Sequence, residues 1–162
     1  MFRIINTLQH AYNVIIDNIT ISPVQSVEQW VANAPAGENR KIIADIINEA
    51  RYSGTLILSD NHMQNISSLP ELPEDITCVM IFGAKKLMSL PSLSAVKNLT
   101  IEDCPHTGDM KLPDGIQDLI LKNIHSIPKL PEGLAHLTLH KTTLPEFPAN
   151  LLTLSVKKVA GV

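Results

Sequence analysis

Leu69-Pro70-Glu71-Leu72-Pro73-Glu74-Asp75-Ile76-Thr77-Cys78-Val79-Met80-Ile81 is the stretch that decides how this 162-residue chain is read. Its second half carries apolar residues as Ile76-x-x-Val79-x-Ile81, and the one-residue alternation at Val79 and Ile81 is that of a strand with one buried face. Its first half carries two prolines. Each removes a backbone donor and pushes the preceding residue out of the α region. A helix is excluded there, and the segment is expected to be extended, close to polyproline II.

Outward from this stretch the same unit recurs. It reads Val96-x-x-Leu99-x-Ile101, Ile116-x-x-Leu119-x-Leu121, Leu134-x-x-Leu137-x-Leu139 and Leu151-x-x-Leu154-x-Val156, with Leu56 and Leu58 as a weaker start. From Leu58 to Val156 the last apolar positions lie 23, 20, 20, 18 and 17 residues apart. The proline pattern keeps the same phase at Leu90-Pro91, Leu112-Pro113, Ile127-Pro128-Lys129-Leu130-Pro131 and Leu144-Pro145-Glu146-Phe147-Pro148. A period near 20 with this spacing is that of a leucine-rich repeat. One such unit cannot bury its own leucines, so stacking must do it, and each repeat is stabilised mainly by its neighbours. The fold class expected is an α+β repeat solenoid with about five to six irregular repeats over residues 55–162.

Residues 22–54 read as a cap. Ser22-Pro23 is expected to start a helix with Val24, Val27, Trp30 and Val31 on one face, ending before Ala34-Pro35. A second helix from about Gly37 carries Ile42, Ile43, Ile46, Ile47 and Ala50, with Gly54 as its C-cap. The hairpin would shield the first repeat's apolar edge. Residues 1–21 show neither the repeat nor a clear amphipathic helix and are expected to add little to the fold.

Composition limits the function. The net charge is −3, which argues against a dedicated nucleic-acid binder. No apolar run approaches the ~18 residues of a membrane span. Cys78 and Cys104 make neither a disulfide framework nor a zinc pattern. His136 and His140 share a strand face with Glu102 expected near them, at most a weak metal constellation, and no cofactor and no metal are expected. Phosphate-loop, dinucleotide, zinc-protease and serine-hydrolase motifs are absent from the sequence, and no catalytic residue is expected.

Strand alternation places the flanking residues on the concave surface. One column is Ile57, Met80, Thr100, Ile120, Thr138 and Ser155. The next is Ser59, Phe82, Glu102, Lys122, His140 and Lys157, and a third is Asp60, Gly83, Asp103, Asn123, Lys141 and Lys158. Met80, Phe82, Thr100, Glu102, Asp103, Ile120, Lys122, Thr138, His140 and Lys141 are the expected partner-binding residues, because apolar and aromatic anchors bind while charges steer. Charge is also polarised. Residues 55–120 hold four Lys against nine Asp or Glu, and residues 121–162 hold five Lys against two Glu. At the far end Leu151, Leu154 and Val156 have little sequence after them, which points to self-association as a homodimer through that end.

The run from Glu28-Gln29-Trp30 to Ala34-Pro35-Ala36-Gly37-Glu38-Asn39-Arg40 resembles the W-x3-AP-x-GE-x-R element of the IpaH, SspH, SlrP and YopM effectors, type III secreted proteins of enteric bacterial pathogens. Leu69 to Ile76 is similar to the LPxLP repeat of that family, and Met1-Phe2-Arg3-Ile4 to the start of several members. The resemblance implies a secreted module that binds an unidentified host protein through its concave face, in the host cytoplasm or nucleus, with residues 1–21 as its delivery segment. It also implies an alternative, the substrate-recognition part of an E3 ubiquitin ligase separated from its catalytic domain, or a degenerate self-associating remnant. Three departures stand out. Neither cysteine sits in a Cys-x-Asp catalytic element. The ladder asparagine occurs only at Asn61, with Ala84, Cys104, Ile124, Thr142 and Val159 in the equivalent places. No polar cap follows Val156.

Overall fold

The repeating strand pattern folds as one parallel sheet. The computed structural model describes residues 26–143 and 145–157, together with the backbone but not the side chains of Lys158 and Val159. The expected delivery segment, the Ser22-Pro23 helix start and Leu144 lie outside the described residues. Six strands run β1 Thr55–Leu58, β2 Cys78–Phe82, β3 Asn98–Glu102, β4 Asp118–Lys122, β5 His136–Thr142 and β6 Thr153–Val159. Their order in the sheet is their order in the chain, and every pairing is parallel. The register joins Leu58, Ile81, Ile101, Leu121, Leu139 and Val156 in one row, with the offsets that the sequence period sets.

Each repeat is closed by the same two backbone devices. A turn donates from the leading apolar residue to the residue three before it: Ile76 N to Pro73 O, Ile116 N to Pro113 O, Leu134 N to Pro131 O and Leu151 N to Pro148 O. Then one carbonyl accepts two N–H groups from the next repeat. Gly54 O takes Thr77 and Cys78, Thr77 O takes Lys97 and Asn98, Lys97 O takes Gln117 and Asp118, and Gln117 O takes Ala135 and His136. In the third repeat Val96 N donates to Leu93 O, so Leu93 stands where its neighbours have proline. The segment from Leu90-Pro91 to Val96 is one residue shorter than that from Leu69-Pro70 to Ile76, and Leu93 meets this with φ +46° while its side chain is fully buried.

The core is the row of inward strand residues and the turn residues that precede them. Leu56, Leu58, Val79, Ile81, Leu99, Ile101, Leu119, Leu121, Leu137 and Leu139 are all at most 1% exposed. Ile76, Val96, Ile116 and Leu134 join them. Each such leucine contributes ~1.5–3 kcal/mol by burial.

Two helices stand at the β1 end, α1 Val27–Ala32 and α2 Arg40–Ala50. Among the described residues the first begins at Val27. Ser26 is the N-cap, its hydroxyl accepting from Gln29 N and the Gln29 side chain accepting in turn from Ser26 N. This capping box satisfies two orphan donors. The second begins at Arg40 rather than near Gly37, whose φ of +88° is not helical. Trp30, Ile43, Ile47 and Ala50 face the core against β1, and Gly54 ends the hairpin at φ +73° with its N–H on Ala50 O.

The return segments between β2 and β6 hold no α-helix among the described residues, only a short 3-10 turn at Thr107–Asp109. The first return differs. Asp60–Met63 makes one helical turn, α3, in which Asp60 Oδ1 accepts from Asn61 N and Ser59 O accepts from His62 and Met63. No proline interrupts this stretch, so a single turn forms. It carries Asn61 outward. Asn61 is exposed and Met63 is the buried residue there, so the one expected ladder asparagine does not occupy the ladder. Ala84, Cys104, Ile124 and Thr142 do, all buried.

Candidate functional site: the open face of the sheet

Opposite the buried leucines lies the open face of the sheet. Because successive strand residues alternate, register fixes its columns. Ile57, Met80, Thr100, Ile120, Thr138 and Ser155 are mutual partners on consecutive strands, and so are Phe82, Glu102, Lys122, His140 and Lys157. These two expected columns stand together on one face, except that Ser59 lies beyond β1 as the N-cap of α3, without a register partner. Ile57 is 51% exposed, and Met80, Phe82, Ile120, Thr138 and His140 are partly exposed. Thr100 is the exception: at 8% exposure it is buried between the longer Met80 and Ile120 side chains on its neighbours, and it offers a partner little.

The third expected column is of another kind. Gly83, Asp103, Asn123 and Lys141 all have φ between +51° and +65°. They are left-handed residues that follow the ends of β2, β3 and β4 and interrupt β5, so strict alternation stops there and their side chains leave the strand face. Their N–H groups still serve the sheet: Gly83 donates to Glu102 O, Asp103 to Lys122 O and Asn123 to His140 O. Asp and Asn tolerate this conformation better than most residues. Asp103 and Lys141, expected among the strand-face residues, are therefore exposed rim residues beside that face. Asn123 Nδ2 donates to Asp103 Oδ1 along this rim.

A further column belongs to the open face and was not included in the expected set. Thr55, Cys78, Asn98, Asp118, His136 and Thr153 are register partners at the strand entries. Extending the alternation two residues before Met80 and its partners would have found them.

The electrostatics of the face are uneven. Lys122 Nζ lies 3.4 Å from Glu102 Oε2, with both side chains about one-third exposed. Among the described residues no carboxylate comes within ion-pair distance of His140, Lys141 or Lys157. No group of three or more His, Cys, Asp or Glu side chains among the described residues is placed to hold a metal ion. Cys104 is buried, which pushes its thiol pKa up, and Sγ donates to Glu102 O. Such a thiol is a structural side chain rather than a nucleophile. On the opposite side, an open cleft of about 310 Å³ lies between the last two return segments, beside Pro128, Leu130 and Phe147. No helix among the described residues is long and apolar enough to cross a membrane.

No protein-family model matches the chain, and no curated protein does. Among solved structures the chain is similar to a Shigella effector LRR domain, at 24% sequence identity and a TM-score of 0.42. The alignment covers 76% of this chain and 66% of that one, so the chain spans just under two thirds of the length of the domain it matches.

Proposed function

We propose that this chain is a protein-binding leucine-rich-repeat module of the bacterial effector kind, which docks a host protein on the open face of its sheet. The observation that carries this reading is the register-aligned apolar row of Ile57, Met80 and Ile120, with Phe82 beside it, at least partly exposed on a sheet whose other face is buried from β1 to β5. Exposed anchors of this type flanked by charge are what interfaces use. The effector assignment rests on the Trp30, Glu38 and Arg40 motif, whose three side chains form one cluster in the cap. Secretion, action in the host cytoplasm or nucleus and delivery by residues 1–21 are part of the same proposal. So is the absence of catalysis. The buried Cys104 argues against a ligase thiol, and discharge of a charged E2 that a Cys78→Ala or Cys104→Ala variant abolished would overturn it. The test of binding is capture from host-cell lysate by the wild type and a Phe82→Ala, Met80→Glu double variant, read by mass spectrometry. Proteins lost with the double variant, at unchanged circular dichroism, support the reading. An identical catch excludes the open face as the docking site.

A second reading has its own observation. On the outermost strand β6, Leu154 and Val156 are 44% and 39% exposed although their register partners Leu137 and Leu139 are buried. We propose that this edge also pairs with a second copy of the chain.

A further inference from the structure

We infer that the segment seated on the open face is an extended peptide with an apolar residue at one end and a cluster of carboxylates at the other, the carboxylates lying over β4 to β6. This rests on the docking reading above and specifies its partner.

Charge divides the face along the strand order, and its apolar side chains gather on β1 and β2, with Ile120 alone on β4. Ile57, Met80 and Phe82 stand on β1 and β2. Glu102, with Asp103 on the rim, follows on β3. Lys122, His140 and Lys157 are register partners on β4, β5 and β6, and Lys141 is exposed on the rim beside His140. Glu102 partly neutralises Lys122 at 3.4 Å, while His140, Lys141 and Lys157 have no carboxylate within ion-pair distance among the described residues. Asp118 shares the face of β4 but sits at the strand entry, four residues from Lys122, which is ~13 Å along a strand. The cationic end is thus local, not a general excess: the whole chain is at −3.

Strands in a sheet are ~4.8 Å apart, so Phe82 on β2 and Lys157 on β6 are separated by ~19 Å, the span of ~6 residues of extended chain. A peptide laid across the strands brings its carboxylates over Lys122, His140 and Lys157 when its apolar side chain meets Phe82. Glu102 and Asp103 in between repel a peptide that is acidic throughout. They also repel a continuous phosphate backbone, which favours a protein segment over a nucleic acid.

The experiment measures fluorescence anisotropy of the full chain with a labelled peptide bearing two leucines, a Gly-Ser spacer and three glutamates. Controls carry glutamines or lysines in place of the glutamates, or glutamates throughout, and a single-stranded oligonucleotide serves as competitor. The graded peptide is expected to bind in a salt-sensitive way and to weaken ~10-fold or more in a Lys141→Glu, Lys157→Glu variant whose thermal melt is unchanged. Equal binding of the glutamine-tailed peptide, indifference to the lysine reversals, or displacement by the oligonucleotide with the same lysine dependence overturns the inference. The same variants separate the two readings. If Phe82→Ala removes the lysate partner and the lysine reversals do not, docking on this face stands and the acidic peptide falls. If neither alters capture, both fall.

Discussion

At the scale of single residues, two clusters hold this chain in shape. The first joins the cap to the first repeat. Arg40 Nε donates to Glu38 Oε2 at 2.6 Å, Arg40 Nη1 donates to Trp30 O, and the guanidinium lies 4.7 Å from the centre of the Trp30 ring. Glu38 Oε1 accepts from both the N–H and the hydroxyl of Ser67. The Glu38 and Arg40 side chains are only 6% and 7% exposed. Burial raises the Glu38 pKa, but the bonds from Ser67 and Arg40 outweigh it, and the group ends below its ordinary value. A lowered carboxylate stabilises fully above its unfolded value of about 4.3, and that contribution is lost as pH falls through the native value. Glu38→Gln leaves Arg40 buried without its countercharge and is expected to cost roughly 3 kcal/mol at neutral pH, the low end for a broken buried pair. Thermal melts of both proteins should converge below the ordinary carboxylate range, and a constant gap across pH would contradict the assignment. The second cluster is the left-handed rim. Gly83 has φ +65°, and a Cβ there would lie 2.5 Å from Asp60 Cβ. Gly83→Ala is therefore expected to destabilise by roughly 2–3 kcal/mol, from left-handed strain plus displacement of α3. Denaturant unfolding measures it, and a loss within a few tenths of a kcal/mol would show that Asp60 moves aside freely.

At the scale of elements, the return segments and the strands answer to different forces. Pro73, Pro113, Pro131 and Pro148 each accept the same turn-closing bond, so the proline that forbids helix also starts the turn into the next strand. The strands depend on their neighbours. Leu137 is 1% exposed between β4 and β6, and Leu154, its register partner on β6, is 44% exposed. Leu137→Ala is expected to cost ~2.7–5 kcal/mol, and Leu154→Ala less than half as much, because no repeat covers its far side among the described residues. Urea titrations of the two variants compare them, and equal losses would mean that the β6 edge is covered in solution. The strands were legible in the sequence because Val79 and Ile81, repeated with a steady period, leave one register for burial. The helix starts were less so. The start at Val27 rests on the reciprocal Ser26–Gln29 bonds, and the second helix waits until Arg40 because Gly37 takes a positive φ. Asn61 was misplaced because a count along the chain cannot see that Asp60–Met63 coils for one turn.

At the scale of the whole molecule, the two ends of the sheet differ. Helices α1 and α2 stand against β1, whereas β6 presents Leu154 and Val156. Head-to-tail stacking through β1 is blocked by the helices, so pairing of two β6 edges about a two-fold axis is the assembly that closes. Sedimentation of the wild type is expected to show a monomer–dimer equilibrium that strengthens with salt, as Lys157 meets its copy, and that Leu154→Glu shifts to monomer. A wild type that remains monomeric at high concentration excludes it. The candidate face was half legible at this scale. Its two strand columns follow from alternation alone, but Asp103 and Lys141 were read as strand-face residues because positive φ leaves no mark in a sequence that uses Asp and Lys there instead of glycine.

The order β1 to β6 also sets how the chain bears load. Strands β1 and β6 lie at opposite edges of the sheet, so tension applied between them runs along the stacking direction and meets each hydrogen-bonded ladder in turn. Strands then peel away singly instead of shearing together. Each detached repeat frees the 17 to 23 residues between register partners, a lengthening of ~60–80 Å at full extension. Pulled in an optical trap, the molecule should yield as a low sawtooth of such steps, whereas a single high rupture would mean that the sheet fails as one body.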